Sequence, residues 1–503
     1  MDTEQKEIGE KEQLVPYGDK IGRVVAMPDS PSFNLVTVRL DSGKRVMPGE
    51  LLIASCEDKN NHNQHMILRV SGAREFNEYE NPLDSQVRDM FNMDSARGRE
   101  DLLRKFVLVN TEPIELMSIG DDGSIVSGEP NVLVTSGTEV HVATSAGIGH
   151  VLGFSDSDSP GAMDIGHVIG SPGIKVVLDA NKCLARHMLV VGSTGTGKSY
   201  FIGVLSEELK KLGIRHVNID VHGEMVDAAT ELGGINVTPG EDLTVKLSSL
   251  SEPEIMEVLP LYHPQHTDIA IKAFSNLKKD KKMFGIDDFK DEVAKVCDEV
   301  ASQKTTKPLM ATRVETLRGI SIIGSGFEWG SKLKGEGSFV NIDCREISSH
   351  SELKVIVGAV ARELMDLRKQ NKINQIVFSM DEAHLFLPSG ETSASSHVLG
   401  ELIRFGRHHG VGIIIASQSP NDVDRRVAKI TNTRVFFAIE KTEIGSVTGL
   451  LADTPADIIN ILPRLRRGTC LLVGSREIIK HSQIVQVRQR KTHDGGETPR
   501  MTT

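Results

Sequence analysis

Gly192-Ser193-Thr194-Gly195-Thr196-Gly197-Lys198-Ser199 is a complete G-x-x-x-x-G-K-S segment. Glycines in this pattern let backbone N–H groups approach phosphate oxygens. The Lys198 ammonium supplies a point charge to the β and γ phosphates, and the Ser199 hydroxyl can ligate Mg²⁺. The chemistry specified is the binding of a nucleoside triphosphate such as ATP with Mg²⁺. A second centre, Asp381-Glu382-Ala383-His384, follows the apolar run Ile376 to Met380. There Asp381 would complete the Mg²⁺ shell, and Glu382, aimed at a water, would act as general base for in-line attack on the γ phosphate. Gln418, after the apolar run Val411 to Ala416, is placed to sense a γ phosphate or the attacking water. Arg404 and Arg407, three apart before His408-His409-Gly410, are candidates for an arginine finger offered to a neighbouring subunit. They equally suit the cation preference of a helix C-terminus, and spacing does not separate the two roles.

These residues need strands and helices to hold them. From residue 187 onward strand and helix patterns alternate, which predicts a parallel sheet covered by helices. The loop of Gly192 to Ser199 lies between the strand pattern HMLVV and an amphipathic helix carrying Phe201, Leu205, Leu209 and Leu212, closed by Gly213. A helix opening at Ser349 and Glu352, with capping-box spacing, carries Leu353, Ile356, Val357, Val360, Leu364 and Leu367 on one stripe. Residues 241–320 interrupt the alternation with charge-rich helical sequence, including the KKDKK run at 278–282, read as a solvated face.

Before that, residues 18–150 read as short strands separated by turns, with DSG at 41–43 and DDG at 121–123 as hairpin signals, and suggest a small barrel. Residues 84–105 lack strand alternation and predict an irregular or helical interruption. The expected organisation is a flexible leader (1–17), a β-barrel (18–150), a connector rich in Gly, Ser, Pro and Asp (151–180) and an α/β core (181–240 and 321–487). A helical insertion (241–320) divides that core, and a flexible tail (488–503) follows it.

Composition narrows the function classes. The chain has 503 residues, 39% hydrophobic and 25% charged, with a net charge of −11, so any nucleic-acid contact must be a local patch rather than an overall basic character. No apolar stretch is long enough to span a membrane, the first residues lack a secretory pattern, and the expected compartment is the cytoplasm. The five cysteines are scattered and read as reduced core thiols. His62 and His65 form an H-x-x-H pair in a polar stretch, read as a loop rather than a zinc site.

With these motifs in place, the chain resembles the HerA family of archaeal hexameric DNA translocases, within the HerA and FtsK superfamily, over nearly its whole length. GSTGTGKS is similar to the family phosphate loop, NIDVHGE at 218–224 to its D-P-H-G-E segment, and MDEAH, GRHHG and ASQSP to its Walker B, G-R-x-x-G and S-Q-x-P segments. Val221 and Met225 depart from the family pattern, and no role is carried over to Asp220, His222 or Glu224. The resemblance implies an N-terminal HAS barrel followed by a RecA-like P-loop ATPase domain with a helical insertion. It implies Gly192 to Ser199 on the nucleotide, Ser199 and Asp381 at Mg²⁺, Asp381 and Glu382 in hydrolysis, Gln418 as sensor and Arg407, the arginine within GRHHG, as finger in trans. It further implies a homo-hexameric ring that moves double-stranded DNA by ATP hydrolysis and works with a NurA-type nuclease in end resection for recombinational repair. The phosphate site alone is also compatible with a motor acting on protein, or with a nucleotide-gated scaffold regulating a nuclease.

Overall fold

The computed structural model describes residues 17–26, 31–57, 63–77, 105–119, 125–144, 146–300, 305–390, 393–419, 421, 423, 425–451 and 454–495. The leader up to residue 16, the segment 84–104, the DDG turn, His62 and residues 496–503 lie outside them. The chain packs as two compact units. One comprises Met1–Asp179, Leu451–Leu465 and Thr469–Arg488, the other Ala180–Leu450, Arg466–Gly468 and Gln489–Thr503.

In the first unit, β1 (Tyr17–Val25), β2 (Val36–Leu40), β3 (Leu51–Glu57), β4 (Asn63–Asn77), β5 (Lys105–Ile119), β6 (Ile125–Gly128) and β7 (Glu139–Ala143) form one sheet. Its order is β2-β1-β7-β3-β4-β5-β6, with β2 also pairing with β5. Alternation sends Val36, Val38, Leu52, Ala54, Met66, Leu68 and Val140 into a shared apolar core. The DSG segment forms a tight turn, with Gly43 at φ 78° and Lys44 N–H donating to Asp41 O at 3.1 Å, but not the expected hairpin: the strands it joins pair elsewhere, β2 with β1 and β5, β3 with β7 and β4. His65 accepts or donates to the Tyr17 hydroxyl at 2.6 Å, a local polar contact within this sheet.

The expected connector is not a linker. Residues 151–180 contain β8 (Ala162–Val168) and β9 (Ser171–Asp179), which pair antiparallel with each other and, through β8, with a C-terminal strand. Ile165, Val168, Ile174, Val176 and Leu178 are buried, so the apolar residues were strand positions within a turn-rich composition. The glycines that read as loop instead permit close approach. A Cβ on Gly166, at φ 149°, would sit 2.0 Å from Gln486 O, and the β8–β9 register shifts beside it.

The second unit holds β10 (Met188–Val191), β11 (Arg215–Asp220), β12 (Ile235–Val237), β13 (Phe339–Asp343), β14 (Ile376–Met380), β15 (Val411–Ser417) and β16 (Thr433–Phe436). Their order is β12-β13-β11-β14-β15-β10-β16, every neighbouring pair parallel. β10, β14 and β15 are buried at every position, as strands covered on both faces must be. The sheet is flanked by α1 (Lys198–Lys211), by α6 (His350–Lys369), whose cap Ser349 accepts from Glu352 N–H at 3.3 Å, and by α7 (Ala394–His409).

Between β12 and β13 lie α2 (Glu252–Val258), α3 (Pro264–Asp280), α4 (Ile286–Val300) and α5 (Thr306–Glu315), and Phe274 of α3 meets Phe284 and Phe289 edge-on. Within KKDKK, Lys278 lies 5.4 Å from the Phe274 ring centroid and Lys281 pairs with Asp288 at 2.5 Å, both on the exposed face. β17 (Thr469–Gly474) and β18 (Gln483–Val487), expected in the α/β core, pack with the first unit, where β18 pairs with β8.

The tail also differs from expectation. Residues 489–495 are ordered against α1: Glu207 Oε1 accepts from the Lys491 and Thr492 N–H groups at 2.7 and 2.8 Å, and Arg490 is buried beside Gly203. A Cβ on Gly203 would lie 2.4 Å from the Arg490 guanidinium, so the helix carries glycine where the tail crosses it.

Candidate nucleotide-hydrolysis site

Parallel sheets expose ligand sites at the carboxyl ends of their strands, and four strands deliver their following loops there. β10 leads into the phosphate loop, where Gly195 and Gly197 take φ 75° and 122°, conformations that L side chains rarely adopt. Gly192 is required by space: a Cβ there would be 2.6 Å from the Phe437 Cβ and 2.8 Å from Thr196 Oγ1. Thr196 Oγ1 donates to Ser193 O at 2.7 Å and closes the loop. Lys198, 7% exposed, turns back and donates to Gly192 O at 2.8 Å, so its ammonium is held inside the loop where phosphates would lie.

β14 ends at Met380, and Asp381 and Glu382 follow it, both buried. Glu382 adopts φ 48°, ψ 45°, a left-handed conformation costing about 1 kcal/mol or more for a residue with a side chain, and strain of this kind gathers at functional sites. Its N–H donates to Asp381 Oδ1 at 2.8 Å. Gln418, beyond the end of β15, donates from Nε2 to Glu382 Oε1 at 2.7 Å and accepts from Thr194 Oγ1 at 3.0 Å. The phosphate loop, the amide and the candidate base are therefore one hydrogen-bonded chain. Glu382 Oε2 is buried without a hydrogen-bond partner, 3.3 Å from His384 Nδ1.

The cleft these loops enclose has a volume of about 130 Å³ and is lined by Lys198, Ser199, Asp381, Glu382 and Gln418 together with residues that spacing did not reveal. His222 and Glu224, on the turn after β11, face it, with His222 Nε2 3.6 Å from Glu382 Oε1. Arg467 and Asp494 also line it, 3.6 Å apart. The signal for the turn was present in NIDVHGE, after an apolar strand; Arg467 and Asp494 had none, being delivered by distant segments. Asp220 does not reach the cleft but accepts from the Glu224 and Met225 N–H groups at 3.0 and 2.9 Å. Arg404 and Arg407 are exposed on α7, whose C-terminal end leads into the start of β15, whereas Gln418 follows its end. Seven strand residues at roughly 3.3 Å each keep both arginines away from their own cleft.

Burial, and then the neighbouring Glu382 carboxylate, push the Asp381 carboxyl up to about 6. A buried pair of carboxylates with an orphaned oxygen beside Lys198 and Ser199 suits a divalent cation with its phosphates. Folding holds the Asp381 proton to higher pH than the unfolded chain does, so stability falls as pH rises from about 4 to about 6 and the full cost persists above. We predict that Asp381→Asn, which keeps an oxygen for the Glu382 N–H, raises the Tm of the nucleotide-free protein at pH 7.5. The gain is up to about 3 kcal/mol, or several degrees, and vanishes near pH 4. Calorimetry at the two pH values checks it, and a lower Tm at pH 7.5 would contradict the burial argument.

A parallel sheet with a phosphate loop after one strand, paired carboxylates after a second and an amide after a third defines a P-loop ATPase. Its fold is similar to that of VirB4 of Thermoanaerobacter pseudethanolicus, with a TM-score of 0.53 and 13% identity, over 67% of this chain and 98% of that one. Residues 163–364 match the family described as "Helicase HerA, central domain", and residues 334–488 an AAA-like domain. The chain is 25% identical over 410 residues to the DNA double-strand break repair helicase HerA of Sulfurisphaera tokodaii, covering 76% of this chain and 78% of that one. It is 25% identical over 400 residues to the protein of the same name from Sulfolobus acidocaldarius, covering 74% and 77%. Over these spans the chain is similar to the HerA family.

Proposed function

We propose that this protein is an ATP-driven double-stranded DNA translocase and helicase, acting as a homo-hexameric ring in DNA end resection for recombinational repair beside a NurA-type nuclease in the cytoplasm. The observation that carries the reading is the hydrogen-bonded chain from Thr194 through Gln418 to Glu382, which links the phosphate-contacting loop to the group that would activate water. The relatives named as double-strand break repair helicases supply the polymer. Among the described residues no helix is long and apolar enough to cross a membrane.

In this reading the backbone of Gly192 to Gly197 cradles the phosphates of ATP and Lys198 neutralises the β and γ oxygens. Ser199 and Asp381 hold Mg²⁺, which when bound screens the phosphate charge. Glu382 accepts a proton from the attacking water, and Gln418 registers the γ phosphate and passes its presence to Glu382. Arg407, exposed and far from its own cleft, serves the cleft of the next subunit, which is why the ring is part of the proposal. The N-terminal sheet is read as the small barrel, a reading supported by the pairing of its edge strand β2 with β5.

The test is ATP hydrolysis with and without blunt duplex DNA at low and raised salt. Stimulation by DNA of any sequence, weakening with salt, is the expected result, because contacts to the phosphate backbone release counterions. Hydrolysis indifferent to DNA but stimulated by a protein would move the cargo assignment to a protein motor. For the finger, Arg407→Ala mixed with Lys198→Ala subunits should recover part of the activity that each lacks alone; no recovery at any ratio removes Arg407 from that role.

A further inference from the structure

The turn that carries His222 and Glu224 is held by a strand that contributes nothing to the cleft lining. Parallel register aligns Ser379 of β14, Asn218 of β11, Asn341 of β13 and Asn236 of β12 in one row across the sheet. Their side chains form a continuous relay. Ser379 Oγ donates to Asn218 Oδ1 at 2.6 Å, Asn218 Nδ2 to Asn341 Oδ1 at 2.8 Å, and Asn341 Nδ2 to Asn236 Oδ1 at 3.0 Å. Asn236 Nδ2 then donates to Val226 O at 3.0 Å, just beyond the turn. Asn341 is fully buried, and a buried amide in an apolar sheet is costly unless every polar atom is used.

The relay branches at Asn341. Asn341 Nδ2 also donates to Asp220 Oδ2 at 3.2 Å, and Asp220 is the residue whose two oxygens accept the Glu224 and Met225 N–H groups. Asn218 and Asp220 lie two apart and so share a face of β11, which brings the carboxylate within reach of the amide on the neighbouring strand. A second support comes from the same strand's end. Gly223 takes φ 75°, and a Cβ there would sit 2.2 Å from the Arg345 side chain, itself fixed by Asp343 at 2.6 Å. The turn is thus held from within through Asp220, while the Arg345 side chain lies close over Gly223 from outside.

We infer that Asn341, acting through Asp220 and assisted by Arg345, is a positioning residue that sets His222 and Glu224 against Glu382 for hydrolysis. A strand-register role alone would account for the row of amides but not for the branch to Asp220 or for the Arg345 contact on Gly223. The inference rests on the hydrolytic reading of the cleft. It predicts a loss in turnover rather than in nucleotide binding, because the phosphate loop belongs to another strand.

The experiment compares the full-length protein with Asn341→Leu, Arg345→Ala and His216→Leu. His216 is buried at the far end of β11, hydrogen-bonded to Ser379 at 2.6 Å, so its removal takes a partner from the start of the relay, away from the turn. Hydrolysis rates, Kd for a fluorescent ATP analogue and Tm are measured for each. We expect kcat to fall roughly tenfold or more in Asn341→Leu, and in the same direction in Arg345→Ala, with Kd changed by less than about threefold. His216→Leu should lose Tm yet keep kcat within about twofold. Arg345 is exposed, so its variant keeps the test decisive if Asn341→Leu does not fold. Wild-type kcat in the folded Asn341→Leu, or in Arg345→Ala where it alone folds, overturns the inference. So does a kcat loss in His216→Leu equal to that in Asn341→Leu. Wild-type protein that hydrolyses ATP while these variants match it defeats the positioning role alone, whereas wild-type protein with no turnover defeats the hydrolytic reading and the inference with it.

Discussion

Glu382→Gln is expected to bind ATP and fail to turn it over, with hydrolysis reduced by a factor of about 10² to 10⁴. The substitution preserves volume and leaves an oxygen that can still accept from Gln418 Nε2, the 2.7 Å contact that orients this side chain. It removes the carboxylate needed to take a proton from water. Lys198, the phosphate-loop glycines and Asp381 are untouched, so the Kd for ATP should stay close to that of the wild type. Equilibrium binding of a fluorescent nucleotide and single-turnover phosphate release separate the two quantities. Normal hydrolysis would transfer the base role to another group of the cleft, with Glu224 the next to examine.

Lys198→Ala should fail one step earlier, at binding, with ATP affinity lowered by about 10² or more. A buried ammonium aimed into the loop is the principal positive charge facing the phosphates, and Arg467, the other cation of the cleft lining, is paired with Asp494. Alanine is a good helix former at the start of α1, so the fold should survive, and a Tm close to the wild-type value distinguishes lost affinity from lost structure. Calorimetric titration of ATP with Mg²⁺ checks the prediction. Binding of undiminished affinity would show that the backbone N–H groups of the loop suffice, and the charge argument would fall.

Much of this site was legible because its chemistry is local. Gly192 to Ser199 is one contiguous segment whose glycines answer to backbone conformation and whose lysine answers to phosphate charge, so order and spacing carry the meaning. Asp381-Glu382 and Gln418 were legible for a related reason: each follows an uninterrupted apolar run, and in a parallel sheet the ends of such runs converge. The fold class followed from the same alternation of strands and helices.

Other features depended on distance in the chain. The strand pair β8–β9 was hidden by a glycine-rich composition, because the reason for Gly166 is the Gln486 carbonyl more than 300 residues away. The ordered tail was hidden because its residues are polar and its partner, Glu207, reads as an ordinary helix-surface carboxylate.

The sequence by itself determined that a phosphate loop, a pair of carboxylates and an amide stand at the ends of apolar strands, since local backbone preference and hydrophobic periodicity suffice to place them. Only the tertiary structure decided that Gln418 bridges Thr194 to Glu382, that Glu382 is held in a left-handed conformation, and that Arg407 stands apart from its own cleft. It alone brought Arg467 and Asp494 to the cleft and set Asn341 behind the turn of His222 and Glu224. These are contacts between side chains far apart in the chain, fixed by strand order and register, and neither is encoded in the spacing of any one segment.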